Sequence, residues 1–277
     1  MKCQSSFYRA IKEGHMCGRF VSARKRLELL EEFAVERDLV PADRAPDNTD
    51  YNVAPTKRIY AVLNHKEKDE DEAQRELRLV RWGLVPSWAK DLSGGARMIN
   101  ARAETVAVKP AFRRAFAKRR CIIPADGYYE WQAPPAGSKV KQPFYIYRTD
   151  GGILAFAGIY ELWRDASLPS DHEQGWLWTA SIITTDATDE IGRIHDRTPM
   201  VISADGWADW LDPANGDKDL LLAMMRPATA SGAGGLTSHT VSTAVNSVRN
   251  NGPELIAPGG AEGAGAEAAG QERPSLF

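Results

Sequence analysis

The stretch CIIPADGYYEWQ, residues 121–132, decides which fold class the sequence predicts. Its β-branched and aromatic residues favour two extended pieces, and the Asp-Gly pair between them favours a turn. Further along, QPFYIYRTDGGILAFAGIYELW at 142–163 predicts two more strands, joined as a hairpin through the TDGG turn. Strands that follow one another across short turns indicate a mainly antiparallel sheet.

The segments around this stretch add a few short helices. RIYAVLNH at 58–65 predicts another strand, whereas residues 25–37 and 110–120 have apolar side chains at helical spacing. No regular alternation of strand and helix is present. We therefore predict a single α+β domain.

Composition excludes several classes of protein. The chain has 277 residues, of which 43% are hydrophobic and 26% charged, which is enough for a sizeable core. No apolar run approaches the roughly 20 residues of a membrane span, and the first residues lack the apolar stretch of a secretory signal. We predict a cytoplasmic protein with no membrane association.

Cysteine usage argues against both a disulfide framework and a structural zinc site. The sequence contains Cys3, Cys17 and Cys121, with no CxxC pair. A lone cysteine usually behaves as a small buried apolar residue, and Cys121 fits that description. We predict no metal and no cofactor.

Charge is unevenly distributed although the net value is −2. Residues 102–120 carry seven basic side chains and one acidic residue, Glu104. Such a run is typical of a solvated helix face, and it also permits a phosphate-bearing partner.

Several polar residues have the chemistry of a nucleophilic site. Cys17 directly follows Met16, so a chain that begins at Cys17 has a free α-amine beside its thiol. Asn100, Glu130 and His195 follow or interrupt strand-like runs. Cysteine, histidine, carboxylate and asparagine together suit nucleophilic catalysis, but the long spacings leave open whether the residues meet and whether the chemistry is that of a Cys–His hydrolase.

Eight blocks in this order resemble one known family. They are MCGRF (16–20), YNVAPT (51–56), WGLVPSWAK (82–90), INARAET (99–105), CIIPADGYYEW (121–131), QPFYIY (142–147), IHDRTPMVI (194–202) and AVNSVRNNGPELI (244–256). The chain is similar to the SOS response-associated peptidase (SRAP) family from Met16 to about Pro258.

The resemblance implies a fold and a reaction. Members have an α+β fold with a barrel-like core, peripheral helices and a positively charged groove. They recognise abasic sites in single-stranded DNA, and the cysteine after the initiator Met forms a thiazolidine crosslink with the ring-opened sugar. The peptidase in the family name refers to removal of whatever precedes that cysteine.

The resemblance also assigns roles. Glu130 is the general acid/base, His195 assists the sugar oxygen or the imine, and Asn100 holds the amine or the sugar. The implied DNA contacts are Arg19 and Arg102 to phosphates, Trp88 and Trp131 in the groove, and Asn52 and Pro55 in the wall beside Cys17. Asn52 and Pro55 are equally compatible with a purely structural turn. The partner is single-stranded DNA containing abasic sites, and we expect a monomer.

Residues 1–15 precede Met16, the position at which the family typically begins. Three interpretations are open. Met16 is the true initiator, or residues 1–16 are a propeptide that the domain removes itself, or the leader stays in place and blocks crosslinking. We predict a leader at 1–16, an SRAP domain at 17–258 and a disordered Gly/Ala/Glu tail at 259–277. Two further hypotheses are a peptidase that acts on itself or other proteins, and a non-covalent single-stranded DNA binder.

Overall fold

The structure is a computed structural model. It describes residues 17–42, 49–66, 71–134, 137–169, 172, 175–187, 189–228 and 235–259. The predicted leader therefore lies outside the described residues, as does the predicted tail from residue 260 onward.

Short strands make up most of the described chain. The strands are β1 (Phe20–Ser22), β2 (Arg37–Asp38), β3 (Asp50–Val53), β4 (Arg58–His65), β5 (Gln74–Trp82), β6 (Asn100–Arg102), β7 (Arg120–Ala125), β8 (Gly127–Gln132), β9 (Gln142–Arg148), β10 (Leu154–Arg164), β11 (Trp176–Asp186), β12 (Arg197–Val201), β13 (Arg226–Pro227) and β14 (Leu236–Thr240). The α-helices are α1 (Arg26–Glu32), α2 (Ala103–Val106), α3 (Arg113–Lys118), α4 (Trp207–Leu211) and α5 (Lys218–Met224).

The strands form two sheets. The smaller sheet has the order β14-β9-β8-β1-β3. In the larger sheet β10 pairs with β7, β7 with β4, β4 with β5, β5 with β11, and β11 with β10, so these five strands close a ring. Most pairs are antiparallel, and the exceptions are β11 with β5, β11 with β6 and β2 with β5. The α+β class and the barrel-like core are confirmed.

Both sheets contribute to the main core cluster. Phe20 of β1 and Tyr128 of β8 enter it from the smaller sheet, and Trp82 and Phe156 enter it from the larger one. Phe20 and Trp82 meet edge to face, with ring centroids 5.1 Å apart. The helices cover the outside of the ring, where α3 buries Phe116. Cys121 is fully buried, as predicted, and both described cysteines are free thiols.

The hairpin predicted for residues 142–163 is wrong. β9 pairs with β8 and β14, whereas β10 pairs with β7, β11 and β12, so the TDGG turn carries the chain from one sheet to the other. The Asp-Gly turn before β8 does the same. There Gly127 is needed because a Cβ atom would lie 2.5 Å from Tyr145 Cε2. Turn residues determine that the chain reverses, but buried side-chain packing determines which strand becomes the partner.

None of the helices in the described residues is both long enough and apolar enough to cross a membrane.

Candidate functional site

Cys17 lies where the chain enters β1, inside the main core cluster and only 3% exposed. Its φ of +49° is unusual for a residue with a side chain. The backbone nitrogen donates a 2.6 Å hydrogen bond to Glu130 Oε1, and the thiol lies 3.9 Å from the carbonyl oxygen of Arg197. Both groups that an aminothiol would use are therefore held by the protein.

Glu130 lies on β8, where pairing of Phe20 with Tyr128 aligns β8 beside β1. The residue is 2% exposed. Burial raises the pKa of Glu130 to about 7, although hydrogen bonds from Cys17 act in the opposite direction. Burial and the nearby Glu130 carboxylate also raise the pKa of the Cys17 thiol well above its usual value. Near neutral pH Glu130 is thus able to take up and release a proton.

His195 follows a 3-10 turn at Glu190–Arg193, which begins with Asp189 accepting a hydrogen bond from the Ile191 amide. Burial lowers the pKa of His195, so the neutral ring dominates near pH 7. The Arg197 amide donates to Nδ1 at 3.2 Å, which assigns the ring proton to Nε2. Asp196 also lies 3.1 Å from Nδ1, but it is 85% exposed and its attraction is screened by solvent.

Arg197 connects these groups, and no role was predicted for it. Its carbonyl faces the Cys17 thiol and its amide contacts the His195 ring. The guanidinium is 4% exposed; it pairs with Asp186 and with Glu104, at 3.1 Å, and donates to the Thr184 carbonyl at 2.7 Å. Its place in the IHDRTPMVI block was the available signal. The sequence contained no sign that Glu104, 93 residues away, is its partner.

Asn100 and Arg102 lie on β6, which runs parallel to β11. They are level with Ile182 and Thr184, and Ile182 belongs to the same core cluster as Cys17. Asn100 is half-buried and Arg102 is exposed. The two side chains thus follow one face of β6, on the side where the Cys17 cluster lies.

Lys141 is an exposed cation near the site that was absent from the prediction. It immediately precedes β9, and Gln142 pairs with Gln132 at the open end of the β8–β9 pair. Gln132 Nε2 in turn donates to the Arg193 carbonyl at 3.1 Å, which holds this end of the sheet against the turn before His195. Burial is the main cause of both pKa shifts at the site; the positive charge of Lys141 opposes the rise in the pKa of Glu130 and adds to the fall in the pKa of His195.

Arg19, Asn52 and Trp131 lie on the other side of the smaller sheet. Side chains alternate along β1 and β8, so Val21, Tyr129 and Trp131 pack in a cluster separate from that of Cys17. Arg19 Nη1 donates to Asn52 Oδ1 at 2.6 Å, and its Cζ lies 5.9 Å from the centroid of the Trp131 ring.

These three residues hold residues 243–256, which we call the C-terminal strap. Arg19 donates to the Val245 carbonyl at 2.9 Å, and Trp131 Nε1 donates to Asn246 Oδ1 at 2.7 Å. Asn52 Nδ2 donates to the carbonyls of Val245 at 3.3 Å, Ser247 at 3.0 Å and Asn250 at 3.0 Å. Their predicted contacts with DNA stay predictions.

Trp88 and Pro55 lie in two separate loops. Trp88 is 68% exposed in the segment between β5 and β6, where the next carbonyl, that of Ala89, accepts a 2.7 Å hydrogen bond from Trp163 Nε1. Pro55 is half-buried in the turn between β3 and β4, whose Thr56 amide donates to the Trp82 carbonyl at 2.9 Å. The structure therefore places Glu130 in contact with Cys17, and His195 beside Arg197, whose carbonyl faces the Cys17 thiol. Asn100 lies on β6, level with Ile182 of the same core cluster.

The arrangement suits amine and thiol chemistry with one buried proton carrier. The nitrogen of Cys17 contacts a carboxyl group able to titrate near neutral pH, and the thiol lies beside it. Among the described residues no three His, Cys, Asp or Glu side chains are grouped as metal ligands.

Comparison with known proteins assigns the family. The profile of the family described as SOS response associated peptidase (SRAP) matches residues 16–248. The chain belongs to the SRAP family. It is 39% identical over 241 residues to the abasic site processing protein YoqW of Bacillus subtilis (strain 168), covering 87% of this chain and 99% of that protein.

Relatives extend to animals and to solved structures. The abasic site processing protein HMCES of Gallus gallus is 33% identical over 233 residues, covering 75% of this chain and 66% of that protein. A crystal structure of a protein from Bacteroides thetaiotaomicron aligns with a TM-score of 0.71 at 25% identity, covering 88% of this chain and all of that one. Cys17, Glu130 and His195 all lie within the matched SRAP region.

Proposed function

We propose that this SRAP protein processes abasic sites by forming a covalent thiazolidine crosslink between Cys17, as the mature N-terminus, and the ring-opened sugar in single-stranded DNA. The observation that carries the proposal is the 2.6 Å hydrogen bond between the Cys17 nitrogen and the buried Glu130 carboxylate. Its relatives' name, abasic site processing protein, supports the choice of lesion.

The reaction balances with the groups present. The neutral α-amine adds to the C1′ aldehyde to give a carbinolamine, which takes up a proton and loses water to become an iminium ion. The Cys17 sulfur then adds to C1′ while the thiol proton leaves, and a five-membered ring closes. The net change is loss of one water molecule. An internal cysteine lacks the amine, so only an N-terminal one completes both additions.

Glu130 and His195 supply the proton transfers. With a pKa of about 7 in the chain that still carries residue 16, Glu130 exists in both protonation states near neutral pH. It accepts a proton from the amine or the thiol and returns one to the departing hydroxyl group. His195, neutral and protonated at Nε2, donates a hydrogen bond to the sugar oxygen during ring opening. Asn100 orients the amine or the sugar.

The DNA contacts are part of this proposal. Exposed Arg102 contacts a phosphate beside the lesion, and exposed Trp88 stacks on a neighbouring base. Half-buried Trp131 contacts DNA only with the edge that the strap leaves uncovered. Arg19 and Asn52 contribute from the face of the β1–β8 pair opposite Cys17, and Pro55 lies in the adjacent turn.

The test is a denaturing gel with the protein beginning at Cys17 and an oligonucleotide that contains one abasic site. We expect a shifted band with the wild type and none with Cys17→Ala. Cys17→Ser is the matched variant, because it keeps the α-amine and the side-chain shape but replaces the thiol with a weakly nucleophilic hydroxyl group. It should give a band only after borohydride reduction of the imine. No band with mature wild type, or an equal band with Cys17→Ala, would exclude the crosslink.

Non-covalent binding is a separate outcome of the same experiment. Equal, salt-sensitive affinity for intact and abasic strands, without a covalent species, would support a simple single-stranded DNA binder.

A second candidate activity is self-processing, favoured by one observation. The nitrogen that Glu130 contacts is the leaving nitrogen of the bond between residues 16 and 17. Glu130 in its protonated form donates to that nitrogen as the bond is hydrolysed, and the new ammonium then pairs with the carboxylate. Intact mass spectrometry of the full chain should show loss of residues 1–16 in wild type and retention in Glu130→Gln. A full-length mass for active wild type would exclude self-processing.

A further inference from the structure

The structure sorts the basic run at residues 102–120 into two groups. Arg119 and Arg120 point inward: Arg119 pairs with Glu161 at 2.7 Å, and Arg120 is 2% exposed. Arg120 donates to backbone carbonyl groups, among them Trp210 at 2.7 Å and Phe116 at 2.9 Å. These two arginines stabilise the fold. The other five cations, including Arg102, are exposed.

Four of the exposed cations share one surface, which we call the basic face: Lys109, Arg113, Arg114 and Lys118. Backbone hydrogen bonds of helical type run almost continuously beneath them. The Lys109 amide donates to Thr105 at 2.9 Å, and the Arg113 amide donates to Lys109 at 2.9 Å. The opposite side of this segment is buried through Val106, Phe112 and Phe116. The cations therefore face solvent because the apolar side chains face the core.

No carboxylate in the described part of the chain lies within ion-pair distance of the basic face. Glu104, the single acidic residue of the run, pairs with Arg197. Arg24 and Lys57, by contrast, have the acidic partners Asp126 and Asp50. Four uncompensated positive charges repel one another, and a polyanion relieves that repulsion.

Glu104 links the candidate site to the start of the segment that carries the basic face. Arg197 contacts the Cys17 thiol through its carbonyl, and its guanidinium binds Glu104 in the first turn of α2. Arg102, on the strand beside the Cys17 cluster, directly precedes that turn. A DNA strand bound at Arg102 would pass Glu104, whose charge is paired with Arg197, and then follow the helical segment.

We infer that the basic face binds the phosphate backbone of the DNA strand that leads away from the lesion, and so extends the footprint beyond the residues around Cys17. This inference rests on the proposed function. A single DNA strand is a suitable ligand for this surface. Each phosphate that a basic side chain neutralises adds a salt-dependent contribution to the affinity, whatever the base sequence. Short strands that end near the lesion would not reach these side chains.

The experiment compares the triple variant Arg113→Gln/Arg114→Gln/Lys118→Gln with a matched triple, Lys25→Gln/Arg58→Gln/Lys218→Gln. The second set removes the same charge from exposed positions elsewhere. Equilibrium binding is measured on a lesion-free strand of about 30 nucleotides over a range of salt concentrations. Three lost contacts should reduce the slope of log K against log salt by about 2, and affinity by about tenfold or more. The matched triple variant should retain most of the wild-type salt dependence and most of the wild-type affinity.

Crosslinking to a strand of about 6 nucleotides separates the two proposals. The basic-face variant should crosslink this short strand at the wild-type rate, which also shows that it is folded. An unchanged slope on the long strand would overturn the inference while leaving the crosslink intact. A wild type that fails on the short and the long abasic strands alike would overturn the proposed function instead. Equal loss in both triples would also overturn the basic face, because net charge alone would then explain the effect.

Discussion

The backbone nitrogen of Cys17 and the carboxylate of Glu130 are joined by a 2.6 Å hydrogen bond, although 113 residues separate them in the sequence. The register of β1 against β8, with Phe20 opposite Tyr128, brings them together. Because Phe20 and Tyr128 both face the main core, a slip of one residue would turn one of them to the other face of the sheet, where Val21 and Tyr129 pack. The packing that stabilises the fold thus also positions the proposed nucleophile beside its proton carrier.

Glu130→Gln should remove proton transfer and leave the fold in place. The amide oxygen still accepts the Cys17 hydrogen bond, but it cannot take up or release a proton. We expect crosslinking to slow by about 10²–10⁴-fold, the range for loss of a general acid/base. Single-turnover rates on denaturing gels measure this. Glu254→Gln, at an exposed carboxyl, is the control and should keep the wild-type rate. An unchanged rate in Glu130→Gln would contradict the assigned role.

The buried Glu130 also predicts how stability depends on pH. Its pKa in the chain that retains residue 16 is raised from 4.5 to about 7 by burial, so the folded state binds the proton more tightly than the unfolded state. The resulting stabilisation is complete below pH 4.5 and is lost as the pH rises to 7. At about 1.4 kcal/mol per pKa unit this amounts to a few kcal/mol.

Urea unfolding of the full chain across that pH range tests the effect. The free energy of unfolding of wild type should fall relative to that of Glu130→Gln as the pH rises. A chain that begins at Cys17 should show a smaller fall, because its ammonium group favours the carboxylate. Parallel pH profiles for wild type and Glu130→Gln would show that Glu130 titrates normally.

Much of the architecture was predictable because it depends on local patterns. The run at 58–65 is a short apolar stretch between charged segments, which predicts a buried strand, and it forms β4 over the same residues. Helical spacing around Phe112 and Phe116 likewise predicted α3. The partner of β10 was not predictable, because the TDGG turn is compatible with a hairpin and with a change of sheet. That choice depends on packing between segments far apart in the chain.

The residues of the candidate site likewise include some that the sequence could predict and others that it could not. Cys17, Glu130 and His195 stood out because each has chemistry that its position did not require. No role was predicted for Arg197 or Lys141, because their effects depend on contacts made across the fold. Arg19 and Asn52 show the converse. Their blocks marked them for DNA contact, whereas the structure places their side chains against the C-terminal strap.

Lys141 should set the pH at which crosslinking is fastest. Its positive charge favours the Glu130 carboxylate and disfavours protonated His195. Lys141→Ala removes that charge, so the pKa of both groups should rise and the pH–rate profile should move to higher pH by a few tenths of a unit, as expected for an exposed charge. High salt should reduce the difference between the variant and wild type. Lys139→Ala, two residues away, should leave the profile in place, and an identical shift in both variants would show that the effect is not specific to Lys141.

Asn52 is the residue for which a structural role and a DNA-binding role predict different results. It is completely buried, and its side chain joins Arg19 to three carbonyl groups of the C-terminal strap. In Asn52→Ala the Arg19 guanidinium and those carbonyls lose their hydrogen bonds to the Asn52 side chain in a buried part of the protein. We expect the free energy of unfolding to fall by about 2–4 kcal/mol, since each unsatisfied buried group costs about 1–3 kcal/mol.

The matched control is Asn251→Ala, which removes two exposed hydrogen bonds of the same strap, one from the Tyr51 amide and a long one to the Thr49 carbonyl. Its effect on the free energy of unfolding should be about 1 kcal/mol or less. Chemical denaturation gives the stabilities, and binding to an intact single strand, measured where every variant is folded, gives the DNA contribution. If Asn52 holds the strap, stability falls and affinity per folded molecule stays close to that of wild type. If stability is unchanged and affinity falls, Asn52 contacts DNA directly and the strap does not depend on it.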